Sequence, residues 1–310
     1  MGTTLWQRTW RNVARNKAMY VMVIPGLLYL LVNNYLPMLG LVIAFKDVDF
    51  AKGIWHSDWI GFKNFEYLFK TSDAWLITRN TLGYNAVFIV VNFAFSIAIA
   101  IFLNEITSKF FSRFYQSVLL LPYLISMIIV SYLVFALLSQ DTGMMNHTIL
   151  PLFGIKEISW YNEPVYWPFI LVIVNLWKNA GFLCVVFLAA IIGIDKEYYE
   201  AATLDGASKW KQIRLITIPL ISPVIVMMLL LFIGRIFYAD FGLFFQVPME
   251  SGPIMNATNV IDTYVYRGLM QIGDIGMSAA AGCYQSIVGF VLVLLSNYVV
   301  RKINKDQALF

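Results

Sequence analysis

Two basic side chains, Lys178 and Arg235, lie near the middle of long apolar runs. A charge at the centre of a membrane helix costs about 2.5–3.5 kcal/mol on insertion scales, so such residues usually face a cavity or a partner. Because Lys and Arg pair well with carboxylates, these two side chains favour recognition of an anion. A structural salt bridge, for instance with Asp240, or contact with another subunit is the alternative. The five-residue spacing from Arg235 to Asp240 does not suit an ion pair within one helix.

No pattern typical of catalysis accompanies these charges. His56 and His147 are isolated, and Cys184 and Cys283 fall in apolar runs, so the sequence indicates neither a metal site nor a disulfide framework. The chain has no Gly-x-x-x-x-Gly-Lys-Ser/Thr loop, so it does not bind ATP by a P-loop. Asp240 is the only carboxylate within the apolar runs, which argues against a membrane-embedded enzyme. Neither coupling carboxylates nor inverted halves indicate a secondary transporter.

The composition is that of a polytopic membrane protein. Of the 310 residues, 60% are hydrophobic and only 13% are charged, and the mean hydropathy is +0.71. In lipid every backbone polar group must be satisfied internally, so apolar runs of about 20 residues must be helices. We therefore predict an all-α fold with six transmembrane helices. The predicted spans are 19–44, 82–103, 115–138, 164–192, 219–245 and 279–300.

The distribution of Lys and Arg predicts how these spans are oriented. Both termini and the loops 104–114 and 193–222 together hold 13 of these residues, whereas the other three loops hold 7. Cytoplasmic loops are enriched in Lys and Arg, so both termini are predicted to be cytoplasmic. The net charge of +4 is attributed to this topology rather than to nucleic-acid binding.

The sequence predicts one domain with short terminal segments. No internal repeat or low-complexity run divides it. The first apolar run is too long for a signal peptide and is not followed by a cleavage site of small residues, so we expect it to be retained. We predict a cytoplasmic N-terminal segment, 1–18, a transmembrane domain, 19–300, and a cytoplasmic tail, 301–310.

Polar and bulky residues recur at helical spacing around the two basic side chains. In each set the residues lie at i, i+3, i+4 and i+7, so they share one face if the run is helical. The two sets are Asn175, Lys178, Asn179 and Phe182, and Phe232, Arg235, Ile236 and Ala239.

A polar island separates the fourth predicted span from the fifth. Tyr198–Leu204 reads as a short helix that ends at Asp205-Gly206, because glycine can end a helix in a left-handed turn. Ser208 suits the N-cap of a second short helix up to Ile216, and Pro219 is expected to open the next membrane helix. Two small helices at an angle favour a surface for a partner over a catalytic pocket.

This island resembles the EAA loop of ABC importer permeases. The family pattern is Glu-Ala-Ala, then Asp-Gly-Ala, then Ile-x-x-Pro. At these positions the chain has Glu200, Ala201, Ala202, Asp205, Gly206, Ala207, Ile216 and Pro219. The likeness extends over nearly the whole chain from Gly61 onward, and it is to the maltose-type (type I) permeases for oligosaccharides.

The resemblance implies a fold, a location and a set of partners. The fold would be the type I ABC importer permease fold, in a bacterial cytoplasmic (inner) membrane, with residues 195–223 as a coupling loop that docks in an ATPase dimer. The other partners would be a second homologous permease subunit, an external solute-binding protein, an oligosaccharide and membrane lipid, with no nucleic acid. The chain would be a transport subunit rather than an enzyme, without a cofactor of its own, since the partner ATPase would hold ATP and Mg.

The resemblance also implies where the substrate binds. Counted without gaps from Glu200 and Pro219, the two sets of four residues match positions at which maltose-type permeases contact their sugar, so both faces would line one cavity. Lys178 and Arg235 depart from the maltose pattern, and this favours a carboxylated oligosaccharide, alginate- or aldouronate-like. A permease for a neutral oligosaccharide or another small solute is the alternative.

Overall fold

The computed structural model describes residues 15–303, and its membrane elements are all helices. Among these residues five helices are long and apolar enough to span a membrane, and one bent pair makes a sixth span. In chain order the spans are Lys17–Phe45, Ser72–Glu105, Lys109–Leu124 with Met127–Leu138, Trp167–Ile192, Lys209–Gly234 and Ile275–Ile303. The all-α prediction is confirmed. Most of both predicted terminal segments, 1–14 and 304–310, lies outside the described residues.

Short elements fill the connections between the spans. Two strands of two residues, Lys46–Asp47 and Asp58–Trp59, pair antiparallel between the first and second spans. The short helices are Gly53–His56, Lys63–Lys70, Met145–Ile149, Leu150–Leu152, Trp160–Asn162, Pro164–Tyr166, Lys196–Leu204, Phe241–Gln246, Gly252–Ile254, Met255–Thr258, Ile261–Arg267 and Gly268–Ile272.

The third span is broken near its middle. Helix Lys109–Leu124 ends two residues after Pro122, and helix Met127–Leu138 leaves it at an angle of 96°. The hydroxyl of Ser126 caps the second helix by accepting a backbone N–H of its first turn at 3.4 Å. The predicted single helix at 115–138 is therefore wrong. The carbonyl groups at the end of the first helix need partners within the membrane.

The start of the fifth span also differs from the prediction. One helix runs from Lys209 to Gly234, so the segment after Ser208 is not a separate short helix, and Pro219 lies inside the span. A π-helical turn at Ile213–Thr217 directly precedes this proline. Proline cannot donate the usual backbone hydrogen bond, and the wider turn accommodates its absence without ending the helix.

The end of the fifth span is shorter than predicted. The helix stops at Gly234, residues 235–240 form turns and irregular backbone, and Phe241–Gln246 is a separate short helix. The predicted helix at 219–245 is therefore wrong over its last third, because the backbone there is held by side chains from other segments rather than by helical hydrogen bonds.

The fourth span packs closely against the second and third spans. The hydroxyl of Ser96 donates to the carbonyl of Ala180 at 2.9 Å, which joins the fourth span to the second. At the next residue, Gly181, a Cβ would lie 1.8 Å from the carbonyl oxygen of Leu119. The absence of a side chain at Gly181 therefore sets how closely the third span approaches the fourth.

Candidate functional site

Lys178 lies on the fourth span beside the break in the third span. Its ammonium group donates to three backbone carbonyls, those of Pro122 at 3.3 Å, Tyr123 at 3.3 Å and Ile125 at 2.6 Å. These carbonyls lie at the C-terminal end of a helix. There no N–H group of a following turn is available to them, and a nearby cation is favourable. Because an ammonium group has three N–H donors, all of them are engaged within the chain. Lys178 thus fastens the broken third span to the fourth.

The four residues of the first predicted face do share one side of a continuous helix, but their exposure differs. Asn175 is buried, and its Oδ1 accepts from Nδ2 of Asn92 on the second span at 2.7 Å. Asn179 donates to the carbonyl of Asn175 at 3.0 Å and remains half-buried. Phe182 is 40% exposed and stacks on Tyr123 with ring centroids 5.0 Å apart. The accessible part of this face is therefore Asn179 and Phe182.

The second predicted face is not formed. Helix geometry ends before Arg235, so Arg235, Ile236 and Ala239 lie on irregular backbone instead of one helical side. Phe232 stays within the helix, and its ring packs edge-on against Phe93 of the second span with centroids 5.5 Å apart. The prediction of a common helical face for these four residues is therefore wrong, although all of them lie at the end of the fifth span.

Amide side chains from two other spans satisfy the irregular backbone at 235–240. Nδ2 of Asn85 on the second span donates to the carbonyls of Ile236 at 2.7 Å and Tyr238 at 3.2 Å. Nε2 of Gln285 on the sixth span donates to the carbonyl of Phe237 at 2.8 Å. Irregular backbone at membrane depth is tolerated only where protein buries it or it lines a cavity, so these amides are what permits the break.

A carboxylate completes this set of hydrogen bonds. Asp262 accepts the backbone N–H of Ala239 at 2.8 Å and the side-chain amide of Gln285 at 3.2 Å. Burial raises the pKa of Asp262, and the two hydrogen bonds oppose that rise because they favour the ionised form. The sequence patterns predict neither Asp262 nor the two amides as site residues. Asn85 and Gln285 are detectable as amides inside apolar runs, whereas Asp262 lies in the short helix Ile261–Arg267 between two spans, and no sequence pattern distinguishes it.

Arg235 is a cation at this break without a partner in the described part of the chain. Its side chain is exposed, and within residues 15–303 its guanidinium makes no hydrogen bond or ion pair. The alternative pairing with Asp240 does not form, because Asp240 caps helix Phe241–Gln246 by accepting the N–H of Leu243 at 3.1 Å. The five N–H donors of Arg235 are therefore available to an anion.

The two broken spans meet in one region. A Cβ on Gly242 would lie 2.9 Å from Cγ of Met127, so the helix that follows the fifth-span break packs on the helix that follows the third-span break. Leu243 and Val130, one from each of these helices, are both fully buried in the same apolar cluster. Lys178 and Arg235 thus lie at two adjoining breaks, one engaged with carbonyls and one free.

The polar island folds into a helix, a turn and the beginning of the fifth-span helix. The helix is Lys196–Leu204, close to its predicted start, and its N-cap Asp195 accepts the N–H of Glu197 at 3.1 Å. Nε2 of Gln212 donates to Oγ1 of Thr203 at 3.0 Å, which ties the two helical segments together.

Gly206 forms the turn between these segments. Its φ is +74°, in the left-handed region, as the sequence predicts. The N–H of Ala207 donates to the carbonyl of Ala202 at 2.8 Å, and the N–H of Gly206 donates to that of Thr203 at 3.0 Å. This pair of bonds is the Schellman motif that ends many helices. A Cβ on Gly206 would meet no atom within 4 Å, so only the backbone conformation requires glycine.

The island is held against the membrane spans and presents apolar side chains outward. Lys209 pairs with Glu105 at the end of the second span at 2.9 Å. Leu204 is 91% exposed and Trp210 is 71% exposed, while Glu200 is exposed on the same helix as Leu204. Exposed apolar side chains on a polar segment held in place by such contacts are typical of a surface that a partner covers.

Residues 92–305 match the family described as the binding-protein-dependent transport system inner membrane component. The chain belongs to this family. The matched residues include both broken spans and the polar island, whereas Asn85, which supports the fifth-span break, lies just before them.

Several known proteins are similar to this permease over nearly its whole length. The polygalacturonan/rhamnogalacturonan transport system permease protein YteP of Bacillus subtilis (strain 168) is 36% identical over 301 residues, which cover 95% of this chain and 91% of YteP. Protein LplB of the same organism is 34% identical over 293 residues, which cover 94% of this chain and 91% of LplB. A crystal structure of a bacterial ABC transporter involved in the import of the acidic polysaccharide alginate has a chain that is 33% identical. Its TM-score is 0.88, with 96% of this chain and 99% of that chain covered.

These similarities confirm the resemblance to ABC importer permeases and the fold that it implied. The chain is a membrane-spanning permease of an ABC importer for sugars or oligosaccharides, a transport component and not an enzyme. The family depends on a binding protein, and a bacterial alginate ABC transporter of this fold has been crystallised with an alginate pentasaccharide-bound periplasmic protein.

Proposed function

We propose that this permease imports acidic oligosaccharides, whose sugar units carry carboxylates. The observation that carries the proposal is Arg235, an exposed guanidinium beside a helix break with no partner among residues 15–303. A guanidinium binds a carboxylate through two parallel hydrogen bonds, which suits recognition of a uronate unit. The names of two similar proteins support the same class, since alginate is an acidic polysaccharide and polygalacturonan is a polymer of carboxylated sugars.

The predicted site residues take three roles in this proposal. Arg235, Asn179 and Phe182 are accessible enough to contact the sugar, and Phe232, Ile236 and Ala239 shape the wall around the fifth-span break. Lys178 and Asn175 act as positioning residues, because carbonyl groups occupy the ammonium of the first and Asn92 binds the second. Of the two cations at these breaks, Arg235 is the one without a partner among residues 15–303, so it is the one that attracts the carboxylate in this proposal.

Arg235→Met should reduce uptake of a uronate oligomer selectively. One lost hydrogen bond to a charged group is worth about 1.5–3 kcal/mol, so we expect a loss of roughly tenfold or more in uptake. A neutral oligomer of similar length should be transported at the wild-type rate. The measurement is uptake into proteoliposomes that contain the whole transporter, with the binding protein and ATP supplied.

Lys178→Met is the matched comparison, because it removes a cation at the adjoining break. Without the ammonium, three carbonyls at the end of Lys109–Leu124 lose their partner, so uptake of uronate and neutral oligomers should fall together. Equal transport of uronates by Arg235→Met and the wild type would contradict the proposal. A selective uronate defect in Lys178→Met would show that Lys178, and not Arg235, binds the carboxylate.

A neutral oligosaccharide is the second candidate. The trehalose/maltose transport system permease protein MalF of Thermococcus litoralis (strain ATCC 51850 / DSM 5473 / JCM 8560 / NS-C) is 28% identical over 289 residues, which cover 92% of this chain and 93% of MalF. The uptake comparison separates the two candidates, because a neutral substrate gives Arg235 no charge to bind.

The polar island is the coupling loop in this proposal. Residues 195–223, with Glu200, Ala201, Ala202, Asp205, Gly206 and Ala207 at their centre, would dock in a cytoplasmic ATPase dimer that holds ATP and Mg. The exposed Leu204 and Trp210 would be buried in that contact, and Glu200 would meet a basic group. A second homologous permease and lipid would cover the first span, of whose apolar window only 6% is buried within the chain. Both termini would be cytoplasmic.

A further inference from the structure

An apolar groove of about 720 Å³ runs between the beginnings of the second and fourth spans. Its walls are aliphatic and aromatic side chains, among them Val87, Phe169 and Ile173, of which the last two are 65–70% exposed. This volume falls within the range of small-molecule sites, about 300–1,000 Å³. Asn85, which supports the fifth-span break, is not among the lining residues, so the groove lies on a different side of the second span from Arg235.

Two polar side chains at the floor of the groove form hydrogen bonds within the chain itself. Nδ2 of Asn80 donates to the carbonyls of Asn256 at 3.1 Å and Asn259 at 2.9 Å. The hydroxyl of Tyr84 donates to the carbonyl of Ala257 at 2.7 Å. The side chains of Asn80 and Tyr84 are therefore engaged within the chain, while the exposed amide of Asn256 also lines the groove and makes no hydrogen bond among residues 15–303.

Arg79 is the charged residue of the groove lining, and its guanidinium is mostly free. Nε and Nη2 both approach Oδ1 of Asn80, at 3.4 and 3.1 Å, and no carboxylate pairs with Arg79 among residues 15–303. Since a guanidinium has five N–H donors, three of them remain for an anion. The groove thus joins an apolar channel to one unpaired cation at its rim.

The depth of Arg79 matches the headgroup layer of a bilayer. Glu105 marks the membrane face that carries the polar island, because it pairs with Lys209. Arg79 lies 26 residues earlier on the same helix, about 39 Å away at about 1.5 Å per residue. The hydrocarbon core is only about 30 Å thick, so Arg79 lies near the opposite surface while Val87 lies about 12 Å deeper along the helix.

We propose that this groove binds a glycerophospholipid of the leaflet opposite the polar island, with an acyl chain along the groove and the phosphate on Arg79. The charge of the rim and the apolar walls are complementary to these two parts of one molecule. A helix of a partner subunit would bury the guanidinium against apolar side chains and would need a carboxylate at this one position. The proposal is independent of the transported substrate.

The test uses photoreactive lipid on the complete transporter purified in detergent. Phosphatidylglycerol with a diazirine on its acyl chain should label peptides that contain Val87 or Phe169, and unlabelled phosphatidylglycerol should compete. Arg79→Gln should reduce this labelling roughly tenfold, the size of one lost charge-assisted hydrogen bond. Val87→Trp should block it by filling the groove while leaving the cation in place. Diacylglycerol with the same diazirine should label weakly in every variant.

Lys156→Gln is the control, since Lys156 is an exposed cation outside the groove lining, and it should label like the wild type. Sugar uptake by Arg79→Gln shows that the variant is folded. Equal labelling of wild type and Arg79→Gln, or equal labelling by phosphatidylglycerol and diacylglycerol, would overturn the proposal. Absence of groove labelling in the wild-type complex would overturn it as well, and would indicate that a protein partner covers the groove.

Discussion

Replacing Gly181 with alanine is expected to destabilise the permease sharply. In the interior of a helix this change usually stabilises by about 1 kcal/mol, because alanine is the better helix former. Here the new Cβ would lie 1.8 Å from the carbonyl oxygen and 2.5 Å from the carbonyl carbon of Leu119. Both are backbone atoms that cannot rotate away, so the third and fourth spans must separate. Overpacking costs typically about 1–3 kcal/mol, and we expect the upper end.

The separation should also loosen the Lys178 contacts, because Lys178 is one helical turn from Gly181 and its carbonyl partners follow Leu119 in the same span. Thermal unfolding of the purified transporter in detergent measures the effect. Gly282→Ala is the matched control, since a Cβ on this membrane-helix glycine would meet no atom within 4 Å. We expect Gly181→Ala to unfold at a lower temperature than the wild type and Gly282→Ala not to do so. Equal unfolding temperatures for the two variants would contradict the close approach of the third and fourth spans.

Gly206→Val should leave the permease assembled in the membrane but uncouple it from ATP hydrolysis. Left-handed backbone costs an L-residue about 1–2 kcal/mol, and a β-branched side chain is the least tolerant of it. Valine should therefore open the Schellman turn and change the angle between Lys196–Leu204 and the fifth-span helix. We expect ATPase stimulation by loaded binding protein to fall at least tenfold, while the yield of the chain stays near wild type.

Gly206→Asn is the control for that experiment. Asparagine tolerates the left-handed conformation, and no neighbouring atom lies within 4 Å of the added Cβ, so this variant should retain most of the coupling. Normal stimulation in Gly206→Val would remove the polar island from the coupling mechanism. An equal loss in both variants would show that side-chain size, rather than backbone conformation, matters at this turn.

The sequence alone predicts those parts of the fold that are determined by neighbouring residues. The lengths of the apolar runs predict all six spans. Asp205-Gly206 predicts the turn of the polar island, because the residues next to a helix end determine how the helix ends. The helix of the second span, however, begins at Ser72 instead of 82. The added residues include polar side chains, and Asn80 among them donates to carbonyls on the distant segment 256–259. Hydropathy alone cannot detect such partners.

The candidate site was predicted only in part for the same reason. The i, i+3, i+4 pattern assumed that the fifth span stays helical, yet Asn85, Gln285 and Asp262 stabilise a break that contains no proline. Lys178 was grouped with Arg235 because both are cations at similar depth. Its actual partners are backbone carbonyls, which carry no residue-type signal, so only the three-dimensional structure separates the two roles.

Import of an acidic oligosaccharide is tested most directly by the ATPase activity of the complete transporter in proteoliposomes, stimulated by binding protein loaded with a panel of sugars. We expect uronate oligomers to stimulate hydrolysis and support uptake. Arg235→Met should weaken both roughly tenfold for uronates, the size of one lost charge-assisted hydrogen bond. Stimulation by neutral oligomers alone, unchanged in Arg235→Met, would contradict an acidic substrate and leave the neutral oligosaccharide permease as the function of this chain.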